Sequence, residues 1–234
     1  MNLKAILFDL DGTLLPMDQD LFVKTYFKGL AAKLAQHGFD PQRLFEVIWA
    51  GTGAMIKNDG TRRNEEVFWD VFVGAYGPEG EAEREFIDEF YRVEFQKVQE
   101  VCGFAPKAAE LIRKLKEAGY RVILATNPLF PPQATESRVR WAGMNPEDFE
   151  LITTYDNSRF CKPNLEYYKD ILERQGLKPE ECMMVGNDVG EDMITRELGM
   201  EVFLLTDCLI NKADVDISVY PNGGFEELFQ YLKL

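Results

Sequence analysis

Residues 4–15 read Lys4-Ala5-Ile6-Leu7-Phe8-Asp9-Leu10-Asp11-Gly12-Thr13-Leu14-Leu15: a short apolar run, two carboxylates and a glycine turn. The run from Ala5 to Phe8 predicts a buried strand. With no polar alternation it suits the centre of a parallel sheet, covered on both faces. Asp9 and Asp11 stand two residues apart, a spacing that in extended backbone aims both side chains one way. Two carboxylates at the end of a buried strand are costly unless a cation or hydrogen-bond donors satisfy them. In open α/β sheets that end is where ligands bind. Taken alone, the pattern also fits an acidic turn after an ordinary strand, so the rest of the chain has to decide.

The sequence has 234 residues, enough for one α/β domain with an insertion or for two small domains. Its net charge of −14 repels nucleic acid and anionic membranes, so neither is expected as a partner. An anionic substrate needs a local cation. No apolar run approaches the roughly 18 residues of a membrane span, and the first residues lead straight into the strand without a secretory signal. Cys102, Cys161, Cys182 and Cys208 show neither metal-ligand spacing nor a disulfide framework, which predicts reduced thiols and a cytoplasmic protein. The single histidine, His37, falls at an expected helix end, where a cation suits the dipole. With no other histidine, a Ser-His-Asp triad or a multi-histidine zinc site is nearly excluded, so acid–base chemistry is expected to rest on carboxylates.

From about Pro16 to Glu100 the periodicity is helical. One helix runs through Leu21 and Leu34 to Gly38, and a second opens at Pro41 and is weakened or ended by Gly51-Thr52-Gly53. Asn64 is expected to cap a third, Gly77-Pro78 to break it, and a fourth to run from about Glu81 to Val98. From Pro106 strands and helices alternate as in a parallel sheet. The expected strands are Tyr120–Ala125, Leu151–Thr154, Cys182–Val185 and Val202–Leu205, with Ile217–Val219 as a possible edge. The expected helices are Ala108–Ala118, Gln133–Ala142, Asn164–Gln175, Val189–Leu198 and Phe225–Leu232. The fold class is therefore α/β: a Rossmann-like parallel sheet core, residues 1–15 and 101–234, with an all-helical cap domain, residues 16–100, inserted after the first strand. Such an insertion hangs over Asp9 and Asp11 and can close as a lid.

Four polar clusters follow strand ends or nearby loops: Asp9 with Asp11, Thr126 with Asn127, Lys162-Pro163, and Asp188 with Asp192. Three carboxylates brought close together call for a metal, and all-oxygen ligation with retained water suits magnesium. A lysine and a hydroxyl beside that ion describe a clamp for a phosphoryl group, which backbone N–H groups after the first strand and after Thr126 can complete.

With these clusters in order, the chain resembles the haloacid dehalogenase-like (HAD) hydrolase superfamily. The resemblance rests on Asp9-Leu10-Asp11-Gly12-Thr13, Thr126, Lys162-Pro163 and Gly186-Asn187-Asp188-Val189-Gly190-Glu191-Asp192, and on a helical cap between the first two motifs. It implies that Asp9 is the nucleophile and a magnesium ligand. It implies that Asp11 ligates the metal through its backbone carbonyl and serves as general acid, then base, through its side chain. Asp188 is implied as the third metal ligand, Thr126, Asn127 and Lys162 as phosphate-binding groups, Thr13 as a hydrogen-bonding neighbour of Asp9, and Asp192 as the group that orients Lys162 or metal-bound water. The implied activity is magnesium-dependent hydrolysis of a small phosphate monoester through an aspartyl-phosphate. Dehalogenases and phosphonatases of the superfamily lack the second carboxylate, so Asp11 favours phosphate esters. A sugar phosphomutase uses the same core residues and stays open, as does a catalytically silent binding module. In the cap, Lys57 and Arg62 can meet a second anionic group or be solvated charges, and Phe130 can line a leaving-group pocket or pack under the cap.

Overall fold

The computed structural model describes residues 3–234. The strand expected from the apolar run is there: β1 spans Ala5–Phe8 and all four residues are buried. Alternation sends its side chains to two faces. Ala5 and Leu7 join an apolar cluster with Tyr168 and Ile171, whereas Ile6 and Phe8 join another with Leu111 and Leu228. Those partners lie on α8 (Leu165–Gln175) and on α6 (Pro106–Glu117) and α9 (Phe225–Leu232). Helices on both faces are what a parallel sheet requires.

The sheet has six parallel strands in the order β3-β2-β1-β4-β5-β6. β2 is Arg121–Leu124, β3 Leu151–Ile152, β4 Cys182–Gly186, β5 Glu201–Leu205 and β6 Asn222–Gly223. β1 pairs with β2 on one side and β4 on the other, with Phe8 level with both Leu124 and Val185. The order reverses direction between β1 and β4, the switch point at which such sheets bind ligands. Ile217–Val219 is not a strand. It forms a 3-10 turn capped by the Asp216 carboxylate, and the edge pairing falls instead to Asn222–Gly223. The expected helix over Val189–Leu198 is also shorter: only Met193–Leu198 is helical, as a 3-10 turn, because the preceding loop is bound up in side-chain hydrogen bonds described below.

Between β1 and α6 the chain is helical. α1 is Gln19–Leu34, α2 Pro41–Ile56, α3 Asn64–Tyr76, α4 Pro78–Ala82 and α5 Arg84–Arg92, followed by a 3-10 stretch Glu94–Val101. The single last helix expected from about Glu81 is thus three pieces. Gly51-Thr52-Gly53 does not end α2. A Cβ on Gly51 would lie 2.7 Å from the Phe68 ring, so this glycine lets α2 and α3 pack closely. Asn64 is not a cap either. Arg63 holds that position, and the buried Asn64 amide donates to the carbonyls of Pro128 and Phe160, at 3.3 and 3.4 Å. His37 sits in the turn after α1, its Nδ1 2.7 Å from Glu83.

The chain leaves the sheet at Pro16-Met17 and returns at Cys102-Gly103. There Met17 bridges Cys102, and Gly103 N–H donates to Pro16 C=O at 2.7 Å. The helical insertion therefore hangs on two adjacent strands of chain. Its far contact is the stretch around Asn64: Asn64 N–H donates to Ser158 C=O and Glu65 N–H to Tyr155 C=O, both at 2.9 Å. The insertion thus spans the carboxyl end of β1 and is tied down on both sides of it. No helix among the described residues is long and apolar enough to cross a membrane.

Candidate active site

Asp9 N–H donates to Val185 C=O at 2.9 Å and so carries the β1–β4 pairing one residue past the strand. The chain then turns back: Gly12 N–H donates to Leu15 C=O, and Leu15 N–H to Leu10 C=O. Gly12 takes φ +84°, and a Cβ there would lie 2.4 Å from Asn187 Nδ2. Asn187 follows β4 and donates to Cys208 C=O at 2.6 Å, which leaves its Oδ1 facing Thr13. Thr13 Oγ1 lies 3.1 Å from Asp9 Oδ2 and 3.0 Å from Asn187 Oδ1, and its one proton serves one acceptor at a time.

Lys162 joins the two acidic clusters. Its Nζ, fully buried, is 2.8 Å from Asp9 Oδ1 and 2.7 Å from Asp192 Oδ1. Burial alone would push this ammonium down, but Asp192 and Asp9 outweigh it and hold it well above the usual lysine range. Burial also pushes the Asp192 carboxyl up, to about 7, against the pull of Lys162. Both groups are thus pushed up, which favours the charged form of the lysine and the neutral form of the acid. The lysine charge is the firmer of the two, because two acids hold one cation and it can neutralise only one of them. Asp192 Oδ2 in turn accepts the Asp188 N–H at 3.0 Å, and Asp188 Oδ1 accepts the N–H groups of Gly190 and Glu191 at 2.7 and 3.0 Å. These bonds hold the loop after β4 in a turn and postpone the helix.

Asp11 has a different partner. Its Oδ2 pairs with Nη1 of Arg138 from α7 (Pro132–Trp141). The Arg138 side chain is 1% exposed and that of Asp11 21%. The guanidinium lies 4.5 Å from the Phe130 ring centroid and 5.8 Å from that of Phe22, so aromatic faces cover it. Burial pushes the Asp11 carboxyl up, and Arg138 offsets part of that rise. Asp11 Oδ1 is buried without a partner.

Thr126 and Asn127 follow β2. The Thr126 carbonyl accepts from Tyr167 Oη at 2.8 Å and Thr153 Oγ1 at 2.7 Å, which fixes the backbone of this loop. Asn127 Nδ2 donates to Glu191 Oε2 at 3.2 Å, and its Oδ1 is buried without a partner. Sequence reasoning expected three carboxylates to crowd together. Among the described residues, no group of three carboxylate, thiol or imidazole side chains is placed to hold a metal. The reason is charge. Lys162 draws Asp9 and Asp192, Arg138 draws Asp11, and backbone N–H groups draw Asp188. In the helical insertion, Lys57 is exposed and Arg62 pairs with Asp70 on the surface.

The sequence profile of the haloacid dehalogenase-like hydrolases matches residues 3–195, a span that holds Asp9, Asp11, Thr126, Asn127, Arg138, Lys162, Asp188 and Asp192. The chain belongs to the haloacid dehalogenase-like hydrolases. Within that family it is 28% identical over 236 residues to a glyceraldehyde 3-phosphate phosphatase of Methanocaldococcus jannaschii, covering 99% of this chain and 97% of the relative. Against a protein of the same description from Methanothermobacter thermautotrophicus it is 30% identical over 122 residues, 49% of this chain, and spans about half the relative's length, 53%. It is 25% identical over 189 residues to the pyrophosphatase PpaX of Bacillus cereus, covering 80% and 76% of the two chains. A solved 2-haloacid dehalogenase from Pseudomonas syringae superposes with a TM-score of 0.66 over 99% of this chain and 98% of that one, at 17% identity, a likeness of fold alone.

Two contributors to this HAD-like site escaped sequence reasoning. Arg138 lies in a helix that the sequence predicts, observed over Pro132–Trp141. Its signal was available, since Ala134, Arg138 and Ala142 are spaced by four and all three are buried, so an arginine stood on the inner face. In the sequence Asn187 is visible only as part of the last motif. Its role as the wall behind Gly12 joins residues 174 positions apart from Thr13, which no local pattern reveals.

The close approach at Gly12 gives a direct expectation. Gly12→Ala places a Cβ in the left-handed region, costing roughly 1–2 kcal/mol, and forces Asn187 to move. The urea midpoint should fall, and turnover should fall with it, because Asn187 leaves Thr13. An unchanged midpoint would mean that Asn187 swings away freely and does not brace the turn.

Proposed function

We propose that the chain is a magnesium-dependent phosphatase that hydrolyses a small phosphate monoester through an aspartyl-phosphate on Asp9. The observation that carries the reading is the buried Lys162 ammonium, 2.8 Å from Asp9 and 2.7 Å from Asp192 at the switch point of the sheet. A buried cation touching the carboxylate that ends the central strand can neutralise it against a dianionic phosphate. The relatives described as phosphatases support the same class.

The donor set suits a hard divalent cation. Asp9 and Asp188 would supply carboxylates and Asp11 its backbone carbonyl, all oxygen. The partnerless Asp11 Oδ1 and Asn127 Oδ1 add buried oxygens to the same region. When bound, magnesium would withdraw charge from the phosphoryl oxygens and orient water. In this reading the protein's own groups do the rest. Asp9 forms a bond to phosphorus as the ester bond breaks, and Asp11 gives its proton to the departing oxygen. Burial, which pushes Asp11 up, favours the protonated form that this step uses. Asp11 then takes a proton from the water that attacks phosphorus, which frees Asp9 and phosphate. Lys162 holds Asp9 throughout, and Asp192 and Thr13 keep the pair in register. Thr126 and Asn127 meet the phosphoryl oxygens. Residues 16–100 act as the cap, with residues 1–15 and 101–234 as the core.

The test is phosphate release from an aryl phosphate with and without magnesium. Release should require the metal, and Asp188→Ala should raise the magnesium concentration for half-maximal rate by at least about tenfold, the order expected when a ligand or its close support is lost. Full activity in excess chelator would refute the metal assignment, and no release at any magnesium concentration would refute the phosphatase.

A further inference from the structure

Lys162-Pro163 runs directly into α8, and hydrogen bonds stiffen the join. Asn164 N–H donates to Cys161 C=O and Tyr167 N–H to Asn164 C=O, both at 3.0 Å, and Asn164 Oδ1 caps the helix by accepting from Glu166 N–H. α8 lies across the centre of the sheet, where Tyr168 and Ile171 share one apolar cluster with Leu7 of β1, Ile123 of β2 and Met184 of β4. Successive helix residues point about 100° apart, so two neighbours on α8 can serve loops on opposite sides of β1. Tyr167 Oη donates to Thr126 C=O, after β2, at 2.8 Å, and Tyr168 Oη donates to Glu191 C=O, after β4, at 2.6 Å.

Neither hydroxyl is there for packing. Tyr167 is 2% exposed and Tyr168 fully buried, and phenylalanine would fill almost the same space without a polar atom. A buried hydroxyl is costly unless it is hydrogen-bonded. Burial pushes both phenols up, against the pull of the Lys162 charge, so both keep the proton they donate. What they grip is the backbone of two loops beside Lys162. Thr126 opens the loop that carries Asn127. Glu191 gives its own N–H to Asp188 Oδ1 at 3.0 Å, so fixing Glu191 fixes the turn in which Asp188 sits.

Resting on the phosphatase reading, we infer that Tyr167 and Tyr168 are positioning residues with separate tasks. The Tyr167 hydroxyl sets the phosphate-binding loop after β2, the Tyr168 hydroxyl sets the loop after β4 that carries Asp188, and α8 keys both to Lys162. Removing one hydroxyl should therefore weaken one ligand and spare the other. Tyr168→Phe acts on magnesium through Asp188. Losing an outer partner of a metal site costs about 10–100-fold in affinity, and the lower end is expected because Tyr168 acts through Glu191. Tyr167→Phe acts on the phosphoryl group. Its effect is that of one hydrogen bond, about two- to tenfold, because Thr126 C=O keeps Thr153 Oγ1 at 2.7 Å.

In the experiment, magnesium is titrated calorimetrically into the substrate-free wild type, Tyr167→Phe and Tyr168→Phe, and inorganic phosphate is then titrated at saturating magnesium. Hydrogen exchange is followed by mass spectrometry in peptides spanning residues 125–131 and 187–192. Tyr168→Phe should raise the magnesium Kd about tenfold, leave the phosphate Kd unchanged and speed exchange in 187–192 alone. Tyr167→Phe should raise the phosphate Kd about two- to tenfold, leave the magnesium Kd unchanged and speed exchange in 125–131 alone. A general loosening of the fold would move both ligands and both peptides together in each variant. That result overturns the inference, as does either variant moving neither ligand. A wild type that binds neither magnesium nor phosphate refutes the phosphatase, and the exchange pattern then decides the inference by itself. Separate loosening of the two peptides supports it, and joint or absent loosening overturns it.

Discussion

Asp9→Asn is expected to abolish turnover without lowering the stability of the fold. The chemical half follows from the proposed role. An amide is a poor nucleophile toward phosphorus, and losing the nucleophile of a covalent mechanism costs on the order of 10⁶-fold. The structural half follows from the charge arrangement around Lys162. The buried ammonium faces two carboxylates, Asp9 at 2.8 Å and Asp192 at 2.7 Å. Removing the charge of one leaves a matched pair, not an orphaned cation. Asparagine Oδ1 can still accept from Lys162. The thermal midpoint should therefore stay level or rise. The measurements are single-turnover hydrolysis of an aryl phosphate and mass spectrometry of acid-quenched protein. A phosphoryl adduct should be trapped on the wild-type peptide containing Asp9 and be missing from the variant. Turnover near the wild-type rate would sink the covalent mechanism.

What the sequence disclosed and what it hid divide along a physical line. β1 was legible because Ala5-Ile6-Leu7-Phe8 is buried on both faces and so carries no polar residue. The first helices of the insertion were legible because one face of each is apolar, and α2 starts at Pro41 as the punctuation implies, whereas α3 starts one residue before the expected Asn64 cap would allow, with Arg63 in the cap position. The edge strand was not. β6 is Asn222–Gly223, paired to β5 through backbone alone, whereas the apolar Ile217 and Val219 lie in a capped turn. The sheet edge needs two residues of extended chain and says nothing in side chains. The loop after β4 misled for a related reason. Helical spacing from Val189 to Leu198 is real, but the Asp192 carboxylate is drawn inward to Lys162 and its neighbour Asp188 binds its own loop. In the site itself, the motif positions were legible, while their partners were not: Arg138 and Asn187 act across 127 and 174 residues of chain.

The hidden partner Arg138 changes what is expected of Asp11. Asp11→Asn removes the carboxylate that faces a guanidinium 1% exposed to solvent. The remaining acceptors, Ala134 C=O and Thr135 Oγ1, both at 3.3 Å, are neutral. Breaking a buried pair in this way costs about 3–5 kcal/mol, and the lower figure applies because the Asp11 side chain is 21% exposed. Loss of activity in the single variant would then mix two causes, a missing proton donor and a strained site. The double variant Asp11→Asn/Arg138→Met separates them. Methionine fills the space between Phe22 and Phe130 without a charge to compensate, so stability should largely return. The rate should not return, because the proton for the leaving group is still missing. General acid catalysis contributes about 10²–10⁴-fold, which sets the loss expected for an alkyl phosphate. For an aryl phosphate the loss should be smaller, since a phenol, with a pKa of about 10, departs more readily without a proton. Urea denaturation of the wild type and three variants gives the stability cycle. Rapid-mix measurement of phosphoenzyme formation with ethyl and aryl phosphates gives the rate cycle, free of the later step in which water attacks. Recovery of the ethyl phosphate rate in the double variant would show that Asp11 serves only to neutralise Arg138. An undiminished urea midpoint in Asp11→Asn would show that the guanidinium does not depend on it.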